Sequence, residues 1–460
     1  MNSKPNIVFI LADDLGYGDF GIFNQGLSKT PALDWLVSES VCMTQQYTAS
    51  PVCNPSRACL LTGRYPHRTG SIDTLEWRGL ERLALRETTL ADVLKRHGYT
   101  TGLVGKWHLG AFDMWYHPNN RGFDEAVCFR GGMHDYYRWR LEFNQTVRNS
   151  DGTYLTDVFT EQACQFIRRH KDNPFFLHLT YNTPHTPLQA PEEEIRPFRE
   201  SGRFNRAVSI LYAMIHRMDT GIARVLETLR QAGIEDNTIL IFTSDNGPQF
   251  GGEGEDRLDR FNCHFNGSKG SVYEGGIRVP LMVRWPDGIK NKQTIHTMVH
   301  FCDLFPTLLA MAGIKCPKEL DIDGQNILPL LRGEKLDTIT KRFWQWNRYT
   351  PKISYNAAMR NGPWKLVRPA VDAIIEVPDI HWLEVSMYNP DYFIQNGIIT
   401  DPEPFVEAPA PPPQELYNIE TDPLEQYNLA HQHPDIVHQM ASELETWFEK
   451  VETERRTIPC

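Results

Sequence analysis

Short apolar runs alternate with amphipathic stretches over the first two thirds of the chain. Residues 7–11, 101–104, 175–180, 238–243 and 280–284 are rich in Ile, Val, Leu and Phe. Apolar residues without alternation predict strands buried on both faces, the pattern of a central parallel sheet. Between them lie helical periods. Residues 89–97 (TLADVLKRH) precede Gly98, a fitting stop. Residues 208–232 place Ile210, Leu211, Met214, Ile215, Met218, Ile222, Val225, Leu226 and Leu229 on one helical stripe that ends at Gly233. Strands alternating with helices predict an α/β fold with a doubly wound, mostly parallel sheet flanked by helices. After about residue 340 the pattern changes. Residues 357–367 alternate, 403–414 are proline-rich and read as an extended loop, and 414–429 read as a strand and turn. Val437, Met440, Leu444, Trp447, Phe448 and Val451 mark one helix face. This predicts a main α/β domain over 1–340 and a smaller α+β subdomain over 341–460 with an antiparallel sheet.

Length agrees, since 460 residues suit two or three domains, or one large α/β domain with an appendage. No apolar run is long enough to span a bilayer. The formal charge of −11 disfavours a nucleic-acid partner. It also means that an anionic substrate would need a local basic pocket. The nine cysteines (Cys42, Cys53, Cys59, Cys128, Cys164, Cys263, Cys302, Cys316 and Cys460) are odd in number and have no zinc-like spacing. They form no evident disulfide framework. The run 6–12 is followed at once by Asp13 and Asp14, which suits a buried strand rather than a signal peptide. The expectation is an exported protein whose leader is absent from this chain, with a cytoplasmic protein as the alternative.

In a doubly wound sheet, ligands gather at the carboxyl ends of the strands. Asp13 and Asp14 end the first run, Asp245 and Asn246 follow TILIFT, Lys106 and His108 follow GLV, and His185 follows FFLHLTYN. These segments can therefore meet at one sheet edge. An acidic pair at a strand end is often only a loop feature, but two such pairs offer a set of hard oxygens that suits Ca²⁺, with Mg²⁺ or Mn²⁺ as alternatives. Lys106 and His108, two residues apart, would face one side of an extended segment. His185 sits between two prolines in TPHTP, and Lys269 in the glycine-flanked GSKGS. A lone cysteine is usually a small buried hydrophobe. Cys53, however, begins Cys-Asn-Pro-Ser-Arg, which puts Arg57 one turn later on the same face if a helix starts there. A helix N-terminus beside a fixed cation favours an anion.

CNPSR followed by LLTGR resembles the signature of the type I, formylglycine-dependent sulfatases of the alkaline-phosphatase-like superfamily. The resemblance continues through NIVFILADDLGYGD, GKWHLG, TPHTP, TSDNG, SKGSVYEGGIRVP, WKL and ELYNIETDPLEQYNLA. It implies that a formylglycine-generating or anaerobic sulfatase-maturating enzyme oxidises Cys53 to formylglycine (3-oxoalanine). The hydrated aldehyde would attack sulfur, and its second hydroxyl would release the sulfate. It implies Ca²⁺ held by Asp13, Asp14, Asp245, Asn246 and modified residue 53. Arg57 and Lys106 would hold oxygens, His108 would serve as base for collapse, His185 and Lys269 would contact sulfate and protonate the leaving oxygen, and Asp245 would activate the nucleophile. A sulfated carbohydrate is the expected substrate. Arg130, His134, Asp135, Arg257, His264, Trp346 and Arg348 are candidates for binding it. The alternatives are an arylsulfatase, or a phosphate or phosphonate ester hydrolase. The second usually needs two metals and an extra His-rich ligand set, and no such set is evident. A non-catalytic binding protein finds no support in so complete a site. Oligomeric state is not legible.

Overall fold

The computed structural model describes residues 4–459, so Cys460 lies outside the described residues. Its main sheet contains β1 (Asn6–Ala12), β2 (Val41–Tyr47), β3 (Thr100–Lys106), β4 (Glu125–Phe129), β5 (Arg140–Phe143), β6 (Thr146–Asn149), β7 (Phe175–Thr180), β8 (Thr238–Ser244), β9 (Arg278–Arg284), β10 (Gln293–Ile295) and β11 (Val299–His300). The strand order is β10-β2-β9-β8-β1-β7-β3-β4-β5-β6, with β11 also paired to β2. At the centre, β1 runs parallel to both β7 and β8, with Val8 level with Leu177 and Leu240. All seven of its residues are buried. Ile7, Phe9 and Leu11 enter one core, while Val8, Ile10 and Ala12 enter another on the opposite face. Burial on both faces is why β1 reads as an unbroken apolar run.

The first core is closed by the helices Cys53–Thr62, Leu90–Arg96 and Phe301–Met311. The second is closed by Leu155–His170 and Arg206–Gln231. The predicted stripe on the long helix is the buried one, from Leu211 through Met214, Ile215, Met218, Ile222 and Val225 to Leu229. Asn205 caps its start by accepting from Val208 N at 2.9 Å. The helix Leu90–Arg96 begins with a capping box between Thr89 and Asp92.

One expected parallel strand runs the other way. β9, read as residues 280–284, is antiparallel to both β8 and β2. The connection from β8 never crosses to the far edge: Gly247 N donates to Gly276 O at 2.8 Å, so β9 starts where β8 ended and must run back. β2 and the β4–β6 edge carry too many polar residues to show as apolar runs.

The second sheet is antiparallel, in the order β12 (Lys341–Gln345), β13 (Ala357–Asn361), β14 (Trp364–Arg368) and β15 (Glu415–Asn418). Met359, Leu366 and Leu416 pack with Met440 and Leu444 of the helix Pro434–Arg455. On its other face Trp344, Ala358, Val367 and Tyr417 pack with Tyr47, Val272 and Ile277 of the main body. Lys365 is fully buried in this joint, 2.9 Å from both Glu274 and Glu425. The proline-rich stretch 403–414 has no regular element. The link from β14 to β15 also carries two short helices, Trp382–Tyr388 and Asp391–Asn396.

Candidate active site

Three strand ends and one helix start converge at the carboxyl edge of the main sheet. Asp13 and Asp14 leave β1, Lys106 ends β3, and Asp245 and Asn246 leave β8. The helix beginning at Cys53 points its start into the same space. Arg57, one turn on, donates through Nε to Asp245 Oδ2 at 2.9 Å, and its Nη2 lies 2.7 Å from the same oxygen. Lys106 Nζ donates to Asp13 Oδ2 at 2.7 Å. Lys269 Nζ lies 2.8 Å from both oxygens of Asp14. Asn246 donates to Asp14 Oδ1 at 2.8 Å, and Asp14 N donates to Asp245 Oδ1 at 3.2 Å. Three carboxylates and three cations thus interlock with almost no solvent contact. Lone charges could not remain ionised at such depth, so the pairing is what makes the burial tolerable.

Two oxygens of this cluster are left over. Asp13 Oδ1 and Asn246 Oδ1 are buried and have no hydrogen-bond partner among the described residues. A buried acceptor without a donor costs about 1–3 kcal/mol. Ligand atoms of Asp13, Cys53 and Asp245 all lie within 4.8 Å of one another, and so do those of Asp13, Asp14 and His185. Hard, unsatisfied oxygens, one from a carboxylate and one from a neutral amide, beside further carboxylates are the donor set that a divalent cation such as Ca²⁺ takes. The residues present therefore fit one.

The histidines differ in their free nitrogen. His185 Nδ1 lies 2.8 Å from Thr186 O, so it carries the proton, and bare Nε2 lies 3.7 Å from Asp14 Oδ2. Both peptide bonds before the flanking prolines, Thr183–Pro184 and Thr186–Pro187, are cis. Burial and then Lys269 push the His185 pKa down to about 3. His108 Nε2 faces Thr74 O at 3.4 Å, which leaves Nδ1 bare and without a partner. Burial, with Lys106 and Arg57 behind it, holds His108 well below its usual range. Both rings are neutral. Burial would lower Lys269, but Asp14 and Cys53 outweigh it and keep its ammonium above the usual range. Burial raises the Cys53 thiol despite Lys106 and Lys269. Asp245 is pushed up to about 6 by burial and by Asp13, against the pull of Arg57 and Lys106.

Lys106 and His108 do reach the same centre, but not by strand alternation. β3 stops at Lys106, and His108 adopts φ 54°, a left-handed conformation. Asp14, at φ 65°, is held the same way. Asn54 fixes the arrangement by donating to His108 O at 2.6 Å and to Glu81 O at 2.7 Å.

Above this floor opens a cavity of about 360 Å³. Cys53, His108, His185 and Lys269 lie at its base, and Trp346 and Arg348 stand on its wall. Arg348 stacks on Trp346 at 4.9 Å and donates to Asp73 Oδ1 at 2.8 Å. Ile375, Val377, Ile380 and Leu383, from the link between β14 and β15, form an apolar side. The other five binding candidates do not line this cavity. Arg130 is buried against Glu142 at 2.9 Å. Asp135 accepts from the backbone of Tyr137 and Arg138 and from Gln189, while His134 accepts from Asp135 N at 2.9 Å. Arg257 is exposed and paired with Asp259. His264 turns its ring edge-on to Phe261 and borders a separate shallow groove. The polar groups of Arg130, His134, Asp135 and Arg257 satisfy local turns and ion pairs, so the stretch 129–140 was informative for another reason. Gly132 and Met133 of that stretch do line the cavity. A Cβ on Gly132 would meet His108 Cε1 at 2.7 Å. Glu76, which accepts from Gly132 N, and Asp73 belong to no recognisable motif. The Gly131–Gly132 pair was the only signal for this corner.

A doubly wound sheet with acidic strand ends, a cysteine at a helix start and converging cations defines an enzyme of the alkaline-phosphatase-like fold. Residues 5–314 match the sulfatase family model, and residues 264–380 match that of the N-sulphoglucosamine sulphohydrolase C-terminal region. The chain belongs to the sulfatase family and is a sulfuric ester hydrolase. It is 34% identical to the N-acetylgalactosamine-6-sulfatase of Homo sapiens over 72% of this chain and 67% of that one. It is 30% identical to the steryl-sulfatase of Rattus norvegicus over 78% and 76%. Among solved structures, Ps i-CgsB in complex with k-i-k-neocarrahexaose superposes with a TM-score of 0.79 at 30% identity, covering 97% of this chain and 93% of that one.

Proposed function

We propose that the enzyme removes sulfate from a sulfated carbohydrate, with residue 53 as the nucleophile position after its oxidation to formylglycine by a maturation enzyme. The observation that carries this reading is the gathering of Arg57, Lys106 and Lys269, each paired to one of Asp245, Asp13 and Asp14, around the Cys53 helix start. The hydrate of formylglycine supplies a hydroxyl nucleophile and a second hydroxyl for release. Asp13, Asp14, Asp245 and Asn246 would hold one Ca²⁺, which supplies Lewis acidity to the oxygens beside it.

The remaining roles belong to the chain itself. Asp245, with its raised pKa, takes the proton of the attacking hydroxyl. Arg57 and Lys106 hold negative charge in place as it shifts toward the bridging oxygen. Lys269, kept protonated beside Asp14, donates to the leaving alkoxide. His185 binds a sulfate oxygen once the incoming anion favours its protonation. Bare Nδ1 of His108 accepts the proton that frees the sulfate. The carbohydrate part rests on Arg348, whose guanidinium, stacked on the buried Trp346 at the cavity wall, suits a sugar hydroxyl or anion. It is supported by the sulfated-sugar names and ligands of the relatives. Export is proposed with it, since a polymer-derived substrate is met outside the cytoplasm.

A second reading has its own observation. Ile375, Val377, Ile380 and Leu383 would suit an apolar aryl or steryl leaving group. The deciding experiment is a screen of matured enzyme against sulfated saccharides, aryl sulfates and the matching phosphate esters. Sulfate release with kcat/KM highest on a saccharide supports the proposal. Higher turnover on apolar esters supports the second reading, and preference for phosphate esters contradicts both.

A further inference from the structure

Behind the Cys53 helix, away from the cavity, lies a second group of reactive side chains. Cys59, on that helix, and Cys302, on the helix Phe301–Met311, are fully buried with their sulfurs 3.3 Å apart. A ring nitrogen of His300 and both sulfurs fall within 4.8 Å of one another. Cys59 follows Cys53 by six residues, so at about 100° per residue the two side chains point roughly 120° apart around the helix. The pair is therefore no part of the sulfate site.

Two chemistries could use such a group, and the geometry separates them. Two thiolates on a tetrahedral metal, each about 2.3 Å from it, stand about 3.8 Å apart. The sulfurs here are closer than that. His300 Nδ1 accepts from Cys302 N at 3.2 Å, so the ring proton sits on Nε2, which is buried without a partner and offers no lone pair to a cation. A covalent bond needs the sulfurs to close to about 2.05 Å, a shift of about 1 Å that side-chain rotation can supply. We propose that Cys59 and Cys302 form a structural disulfide that clamps the Cys53 helix to the helix behind it.

The bond forms by exchange with an external low-molecular-weight or protein disulfide. One cysteine thiolate attacks it to give a mixed disulfide and one released thiol. The second then attacks the mixed disulfide, joins the two sulfurs and releases the other thiol. Two electrons and two protons pass to the external disulfide. Burial holds the Cys302 thiol well above its usual range, so exchange belongs to folding rather than to the finished protein. The bond spans 243 residues of sequence and so restrains a long stretch of the unfolded chain.

The test is a non-reducing peptide map of full-length protein refolded with oxidised and reduced glutathione, denatured in the presence of an alkylating agent. The expected result is a Cys59–Cys302 cross-linked peptide in most molecules. Protein refolded in dithiothreitol instead should show a Tm lower by roughly 5 °C. Cys59→Ser and Cys302→Ser should each match the reduced wild type and lose the response to reductant. Quantitative alkylation of both residues in unreduced wild type overturns the proposal, and needs no variant to fold. Stoichiometric zinc or copper that is lost in both variants overturns it in favour of a metal site.

Discussion

The floor and the wall of the cavity are built in different ways. The floor consists of side chains placed by strand ends and one helix start: Asp13, Asp14, Cys53, Arg57, Lys106, Asp245 and Asn246, each no more than 2% exposed. All but Cys53 are hydrogen-bonded or ion-paired to others of the set. The wall consists of Trp346 and Arg348, on the loop after β12, and the 375–383 segment, on the link between β14 and β15, and most of its side chains keep some exposure. The floor is fixed by the sheet, so it can be preorganised for charge development in one reaction. The wall hangs on two connections outside the main sheet, whose sequences can change without disturbing that sheet. The division separates the chemistry from the choice of alcohol.

The largest effect should come from the floor. Cys53→Ala removes the nucleophile position and should lower sulfate release by about 10⁴-fold with an unchanged circular dichroism spectrum. Equal turnover in the variant would place the chemistry elsewhere. Next, Asp14→Asn removes a ligand charge and the partner of Lys269. Metal affinity measured by calorimetry should fall at least about 100-fold, and activity lost to a chelator should return with Ca²⁺ only in the wild type. Gly132→Ala cuts across the comparison, because it is a wall residue that touches a floor residue. Its Cβ would displace His108, so kcat should fall by roughly 10-fold while KM stays within about threefold. A change confined to KM would mean that His108 tolerates the shift. Arg348→Ala should act in the opposite sense. KM for an anionic sugar should rise by about 10-fold, with kcat and the rate on a small aryl sulfate nearly unchanged.

The same division governs what was legible in the sequence. The central strands were visible because burial on both faces leaves an unbroken apolar run, as in β1 and β7. β2 was hidden by Gln45 and Gln46, and the direction of β9 depended on a connection that apolar pattern does not encode. The floor residues follow strand ends or head a helix, so short motifs mark them. That Lys106 and His108 share a site was legible, whereas the left-handed turn at His108 that allows it was not. On the wall, Trp346 and Arg348 were found through residue type. Arg130, His134, Asp135, Arg257 and His264 were chosen on the same ground, but the polar groups of the first four satisfy local turns and ion pairs, and His264 packs edge-on to Phe261. Asp73 and Glu76 sit in a segment without motif, and only tertiary contact reveals them.

The most direct test of the floor as a sulfatase centre is to titrate activity against the state of residue 53. Preparations made with graded amounts of maturation enzyme would be assayed for sulfate release, and the converted fraction of the Cys53 peptide read by mass spectrometry. Specific activity should rise in proportion to that fraction, with a line through the origin. Activity that is independent of conversion, or substantial at zero conversion, would contradict the account.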